Sequence, residues 1–315
     1  MQNPSAKTFC WLVGFICLFT ACSDDFTFSS KKILNNYPSG SGIACLNNVI
    51  YLVGDDAAYL LITDTAFAII DSIELLEKQG IRIPKDLKPD LEAATVVVVN
   101  KTPHILLAGS GSLLPYRYSA WLINPATKQK LQIDLKPFYT RVKGTGVETL
   151  NIEGVTAIPA GIVLASRGNK SFPANHLIFT ANNFWNNQDS AAIKIIKVGT
   201  NTDTASFQGV SGLEYSKISD QLLLTVSTEN TTNAIDDGAI GKSYLWIINN
   251  ISAKKSMMAI NPNKIIDLDE LDERFRGHKI ESVCIISEDK KEMKLALVAD
   301  DDKGTSILFR ITLKK

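Results

Sequence analysis

Gly209-Val210-Ser211-Gly212-Leu213-Glu214-Tyr215 contains a triplet that recurs along the chain. An oxygen-bearing residue, Ser211, is followed by a tiny one, Gly212, and an apolar one, Leu213. The same order returns in Ser41-Gly42-Ile43, Glu92-Ala93-Ala94, Glu153-Gly154-Val155 and Glu281-Ser282-Val283. The steps from Ser41 to Glu92, Glu153, Ser211 and Glu281 are similar, and near-regular recurrence of one motif marks a repeat architecture.

Each triplet opens a group of short apolar runs. In the first repeat these cover residues 43–49, 51–53, 59–62 and 67–70, with Asn47-Asn48, Gly54-Asp55-Asp56 and Thr63-Asp64 between them. The second gives 95–99, 105–108, 120–123 and 131–135; the third 155–158, 162–165, 176–179 and 193–198. The fourth gives 213–215, 222–226, 244–248 and 265–266, and the fifth only 283–286, 295–298 and 307–311. Runs rich in Val, Ile, Leu and aromatics, separated by Gly, Asn and Asp, predict short strands. Helical spacing of Leu and Glu occurs only at 73–78, which can also continue a strand, and at 268–275.

Four-stranded units repeated radially make a β-propeller. The fifth unit lacks its outer strand, and an open edge is a liability. A strand at 31–37, just ahead of the first repeat, supplies it. The sequence therefore predicts an all-β, five-bladed propeller over residues 31–315, its last blade closed by the N-terminal strand.

In such a ring Ser41, Glu92, Glu153, Ser211 and Glu281 head the innermost strands, around the axis. The tiny neighbours Gly42, Ala93, Gly154, Gly212 and Ser282 let blades approach, and alternation places Ile43, Ala94, Val155, Leu213 and Val283 along the channel. Three carboxylates on one axis repel each other, so either protons or a cation offset them. Without Cys or His among these positions, the hard-oxygen set fits Ca²⁺; the other reading is a water-filled tunnel without metal. The second strand of each blade returns to the same mouth with Asp55 and Asp56, Ser110 and Ser112, Ser166 and Arg167, Ser227 and Glu229, and Asp300 and Asp301.

The order Ser, Glu, Glu, Ser, Glu at five successive repeat heads resembles the calcium-activated nucleotidases, or apyrases. These are five-bladed propellers with a central Ca²⁺. Ile50-Tyr51-Leu52-Val53-Gly54-Asp55-Asp56 is similar to the family's first blade, with its paired Asp, and Ser243-Tyr244 fits the fourth. The resemblance covers residues 40–311. It implies Ser41, Glu92, Glu153, Ser211 and Glu281 as calcium ligands. It also implies a phosphohydrolase mouth in which Asp55 or Asp56 orients water and Arg167 stabilises charge, with Glu229 beside them. The chain departs from the family at Gly109-Ser110-Gly111-Ser112-Leu113-Leu114-Pro115-Tyr116-Arg117, where a Gly-Lys-Trp type loop belongs. No basic cluster for a polyphosphate and no aromatic pair for a base stand out, and the mouth reads as acidic.

Ahead of the propeller, Lys7, the apolar run 9–19 and Thr20-Ala21-Cys22 have the layout of a signal peptide. The small residues before Cys22 resemble a bacterial lipobox. That resemblance implies cleavage after residue 21, a lipid on Cys22, a tether over 22–30, and anchorage at the outer membrane or cell surface. Cys45 and Cys284 hold near-equivalent places in their repeats. An oxidising compartment would permit a disulfide between them, but equivalent positions on neighbouring repeats are usually too far apart for bridging, which favours two buried free thiols. The net charge of +0 leaves no basic footprint for nucleic acid. His104, His176 and His278 are scattered, which argues against a histidine zinc site. The function that follows is a lipoprotein with a calcium-centred propeller that binds a small ligand or protein partner at its mouth. A Ca²⁺-dependent, nucleoside-diphosphatase-like phosphohydrolase is the alternative.

Overall fold

The apolar runs become strands that pair with their neighbours in sequence. The computed structural model describes residues 25–77, 82–199, 207–229, 232, 240–254, 257–300 and 304–315. The expected signal peptide, Cys22 and Asp301 lie outside these residues.

β1 (Phe26–Leu34) precedes the first repeat. Blade one holds β2 (Gly40–Leu46), β3 (Val49–Gly54), β4 (Tyr59–Asp64) and β5 (Ile69–Glu74). Blade two holds β6 (Leu91–Val99), β7 (Thr102–Gly109), β8 (Ser119–Ile123) and β9 (Lys130–Asp134), and is followed by α1 (Lys136–Lys143). Blade three holds β10 (Ile152–Ile158), β11 (Gly161–Ser166), β12 (Asn175–Thr180) and β13 (Lys194–Val198). In blade four β14 (Gln208–Ser216), β15 (Gln221–Glu229) and β16 (Ile240–Asn249) come first. The chain then adds β17 (Ala259–Ile260) parallel to β13 of blade three, and returns as β18 (Lys264–Asp267) to complete blade four. After α2 (Leu268–Leu271), blade five holds β19 (Lys279–Glu288), β20 (Glu292–Asp300) and β21 (Ser306–Lys314).

Within each blade the strands run antiparallel in sequence order, and β1 takes the outer place beside β21. The innermost strands close a ring: β2 lies against β6, β6 against β10, β10 against β14, β14 against β19, and β19 against β2. This is a five-bladed β-propeller. Its closing strand starts earlier than the expected 31–37 and consumes most of the expected tether. Phe26 pairs with Leu313 and Leu34 with Ser306. The cause is the alternation Phe26-Thr27-Phe28, which sends Phe26 and Phe28 against Phe275, and Phe28 also against Phe309.

Apolar side chains fill every gap between blades. Ala44, Val53 and Ile105 pack between blades one and two, Val97, Leu106 and Ile162 between two and three, and Val163, Leu177 and Leu224 between three and four. Leu223, Leu245 and Leu297 fill the gap between four and five, and Ile50, Leu52 and Ala296 that between five and one. Both faces of a blade are thus covered, which explains continuous apolar runs where a half-exposed strand would alternate.

The third residue of each triplet does not line the channel. Ile43, Ala94, Val155, Leu213 and Val283 each join the cluster shared with the preceding blade. An inner strand turns its edge, not a face, toward the axis. The tiny residues do serve blade approach: a Cβ on Gly212 would stand 2.6 Å from the Glu281 carbonyl oxygen and 2.7 Å from Ser282 Cα of the next blade. Of the expected helices, residues 73 and 74 end β5, whereas 268–275 form α2 and a single 3₁₀ turn, Glu273–Phe275. α1 was not anticipated; Phe138, Tyr139 and Val142 bury it between blades two and three. Cys45 and Cys284 are free thiols in one cluster between blades five and one. No helix among the described residues is long and apolar enough to cross a membrane.

Two outcomes follow. Gly212→Ala forces apart two blades at their closest approach and lowers stability by about 1–3 kcal/mol, read from urea unfolding. A chain starting at Asn35 bares the β21 edge and Phe309; it melts at lower temperature and elutes from size exclusion as an oligomer.

Candidate functional site

The heads of the inner strands share a backbone irregularity. The ladder to the second strand slips between Gly40 and Gly42, Leu91 and Ala93, Ile152 and Gly154, Val210 and Gly212, and Ile280 and Ser282. The residue skipped is Ser41, Glu92, Glu153, Ser211 or Glu281. A bulge residue is left out of the pairing and its side chain is re-aimed. That frees these five side chains from the blade faces and directs them at the axis. The second strands end at the same mouth: the Asp55 N–H donates to Ser39 O (3.0 Å), Ser110 N–H to Asp90 O (3.0 Å) and Arg167 N–H to Asn151 O (2.8 Å).

Two residues before each bulge stands a second residue of the mouth: Ser39, Asp90, Asn151, Gly209 or Lys279. Asn151 Nδ2 donates to Glu153 Oε1 at 2.5 Å. Lys279 Nζ lies 2.9 Å from Glu281 Oε1 and 3.3 Å from Glu229 Oε2. Gly209 makes space, since a Cβ there would stand 2.6 Å from Arg167 Nε. Through that space Arg167 reaches from blade three to blade four, donating from Nη2 to Ser227 Oγ (3.2 Å) and Glu229 Oε2 (2.9 Å). Asp90 is bonded by Arg117 Nη1 (2.7 Å), Lys88 Nζ (2.9 Å) and the Ser110 hydroxyl. Lys88 also pairs with Asp55, and Arg82 with Asp56.

The mouth therefore has two charged halves. In one, carboxylate oxygens of Asp55, Asp90 and Glu92 all lie within 4.8 Å of one another, a cluster that can hold a metal ion. In the other, Glu229 and Glu281 face Arg167 and Lys279, and Glu153 lies within their field. Burial raises the carboxyl of Glu92 well above the usual range, and repulsion from Glu153, Asp90 and Asp55 adds to it. Burial likewise pushes Glu153 up to about 8, against the pull of Arg167 and Lys279. Asp55 rises to about 6 by burial, with Lys88 opposing. Buried polar atoms without a hydrogen-bond partner are Asp55 Oδ1, Asp56 Oδ1, Glu281 Oε2 and Arg167 Nη1.

Residues 36–313 match the sequence profile of a single family. The chain belongs to DUF6929, a family of unknown function. No curated protein matches the chain in sequence. Among solved structures, the glutaminyl cyclase of Myxococcus xanthus shares 7% identity at a TM-score of 0.50, covering 92% of this chain and 97% of its own. The Bacillus subtilis arabinanase Arb43A shares 11% identity at a TM-score of 0.47, covering 90% of this chain and 96% of its own. At such identities the likeness is one of fold.

In this DUF6929 propeller the expected ring divides. Glu92 joins the carboxylate cluster, together with Asp55 from the second strand of blade one. Glu153 and Glu281 belong to the Arg167–Lys279 half. The ring serines are turned to the backbone, Ser41 Oγ donating to Ser39 O (2.9 Å) and Ser211 Oγ to Ile280 O (2.7 Å). Asp56 pairs with Arg82 in a cavity of about 170 Å³ that Asp55, Lys88 and Asp300 also line. Arg167 and Glu229, expected beside each other at the mouth, form an ion pair across blades three and four. The expectation of a mouth without a basic cluster is corrected: Lys88, Arg117, Arg167 and Lys279 all stand in it, each tied to a carboxylate. Asp90, Asn151 and Lys279 had one sequence signal, their place two residues before the bulge; Lys88 and Arg117 come from loops with none.

Arg167 is 6% exposed and Arg82 47% at the side chain, and this difference decides what each contributes. Arg167→Ala removes a buried cation and leaves Lys279 alone to offset Glu229 and Glu281, at a cost of about 3–5 kcal/mol in urea unfolding. Arg82→Ala takes the cation from the buried Asp56, but water can enter where the half-exposed guanidinium stood, and the cost is smaller, about 1–3 kcal/mol.

Proposed function

We propose that the mouth of this propeller binds a hard divalent cation, calcium by its donor set, and with it an oxygen-rich ligand or partner. The observation that carries this is the Asp55–Asp90–Glu92 cluster, with oxygens within 4.8 Å of one another and Asp55 Oδ1 buried without a partner. The donors are all oxygen, which suits Ca²⁺ over softer ions. Asp55, Asp90 and Glu92 would hold the cation, with the Lys88 ammonium that now pairs with Asp55 and Asp90 giving way to it, and the cation would offer open coordination positions. Across the mouth, Arg167 Nη1 is an unused donor and Glu281 Oε2 an unused acceptor. A ligand hydroxyl satisfies both at once, accepting from Arg167 and donating to Glu281. Nothing in the site favours hydrolysis over binding: Asp56 is paired with Arg82, and Arg167 with Glu229. The layout of residues 7–22 supports anchorage of this binding module at the outer membrane or cell surface through a lipid on Cys22.

The metal is tested by equilibrium dialysis and melting. Wild-type protein retains calcium, and a chelator lowers its melting temperature. Glu92→Gln weakens calcium binding at least tenfold, and its melting ignores the chelator. Wild-type protein that retains no calcium and melts alike with and without chelator would sink the proposal. For the anchor, Cys22→Ala moves the protein from the membrane fraction to the soluble one.

A further inference from the structure

The channel has a second mouth, where the inner strands end. There the last residues of β2, β6, β10, β14 and β19 surround a cavity of about 770 Å³. That volume falls within the range of small-molecule sites, about 300–1,000 Å³. Leu46, Val96, Val98, Ile158 and Ile285 give it apolar walls. Glu214, from the stretch that carries the fourth triplet, also lines it. Its carboxylate accepts a hydrogen bond from the Tyr215 N–H (3.1 Å) and has no ion-pair partner among the described residues. The other carboxylate of the lining is satisfied: Glu288 accepts from the Ser216 hydroxyl (2.5 Å) and Ile218 N–H (3.2 Å), and pairs with Lys315 (3.2 Å). Lys217 is exposed at the rim.

We propose that this cavity binds a primary ammonium carried on an apolar body, with Glu214 as its counter-ion. An isolated carboxylate in apolar surroundings is costly to ionise unless a cation pairs with it. The N–H donors of an ammonium supply that pairing, and its carbon chain buries the Leu46, Val96, Ile158 and Ile285 walls. An oxyanion would meet Glu214 and Glu288 with like charge. A metal ion would find one uncommitted carboxylate here, whereas the carboxylate cluster of the described residues stands at the other mouth.

Burial pushes Glu214 up to about 8, helped by Glu288 and opposed by the Tyr215 N–H and Lys217. The neighbouring groups hold their charge near neutrality. Burial raises the Cys45 thiol to about 11 and the Tyr215 phenol to about 12, and Glu288 is held below its ordinary value by Ser216, Ile218 and Lys315 despite its burial. Below its folded value Glu214 must lose a proton to receive an ammonium. Affinity therefore climbs about tenfold from pH 6 to 7 and about fivefold from 7 to 8.

Calorimetric titration of the full chain with hexylamine and with hexanol, its neutral isostere, tests this at pH 6, 7 and 8. The expected result is hexylamine binding that strengthens about tenfold from pH 6 to 7 and about fivefold from 7 to 8, with hexanol at least tenfold weaker at pH 8. Glu214→Gln brings hexylamine down to the level of hexanol, and Lys128→Ala, an exposed position outside both mouths, leaves hexylamine binding unchanged. Equal affinity for the two probes at pH 8, no hexylamine binding at any pH, or a preference for hexylamine that survives in Glu214→Gln overturns the proposal. The comparison of probes on the wild-type chain needs no variant to fold.

Discussion

Five inner strands must approach one axis closely enough to touch, and this constraint governs the rest of the molecule. Backbone approaches backbone there, so the residue facing the next blade has to be Gly, Ala or Ser. The residue just before it is expelled from the ladder as a bulge. Steric crowding and the aim of the axial side chain are therefore one event, repeated at Ser41, Glu92, Glu153, Ser211 and Glu281. Because packing fixes the backbone of the bulge, the side chain at that position is open to chemistry. Blades one and four carry hydroxyls and the others carboxylates without any change in the strand that bears them.

Electrostatics then decides what such an axis can tolerate. Carboxylates drawn out of water and toward each other resist ionisation, as the raised values of Glu92, Glu153 and Glu281 show. The protein answers with cations delivered from outside the repeat: Lys88 from the linker between blades one and two, Lys279 from the start of β19, and Arg167 across a gap that Gly209 keeps clear. Compensation is incomplete, since oxygens of Asp55 and Glu281 and a nitrogen of Arg167 remain without partners. Full pairing would make the mouth a structural plug; partial pairing leaves it able to take a ligand.

The repeat, the blade count and the closing strand were legible because each rests on a local rule: a tiny residue beside an oxygen-bearing one, apolar runs of strand length, and an edge needing a partner. The start of β1 was misplaced because Phe26-Thr27-Phe28 is a short alternation flanked by polar residues, and only Phe275 and Phe309 show why it pairs. Simple alternation failed at the third residue of each triplet because the bulge resets which way the following side chains point. The composition of the mouth was half hidden. Asp55, Asp56, Arg167 and Glu229 sat at visible strand ends, but Lys88, Asp90 and Arg117 meet only through turns whose geometry no periodicity records. Glu214 was in plain view inside the fourth triplet's stretch, yet its meaning depends on four other strands ending around it.

The direction of β1 has a bearing on how the molecule would stand at a surface. Phe26 is at the end of blade five where Leu313 lies, and the carbonyl of Asp25 accepts the Lys314 N–H at 2.8 Å. The adjacent Lys315 is bonded to Glu288, on the rim of the Glu214 cavity. Cys22 comes only just ahead of Phe26, and extended chain reaches about 3.5 Å per residue. A lipid on Cys22 would thus hold the propeller close to the bilayer with its Glu214 opening turned inward and its carboxylate mouth facing away. The two ends of one channel would then meet different solvents, one sampling the headgroup region and the other open water.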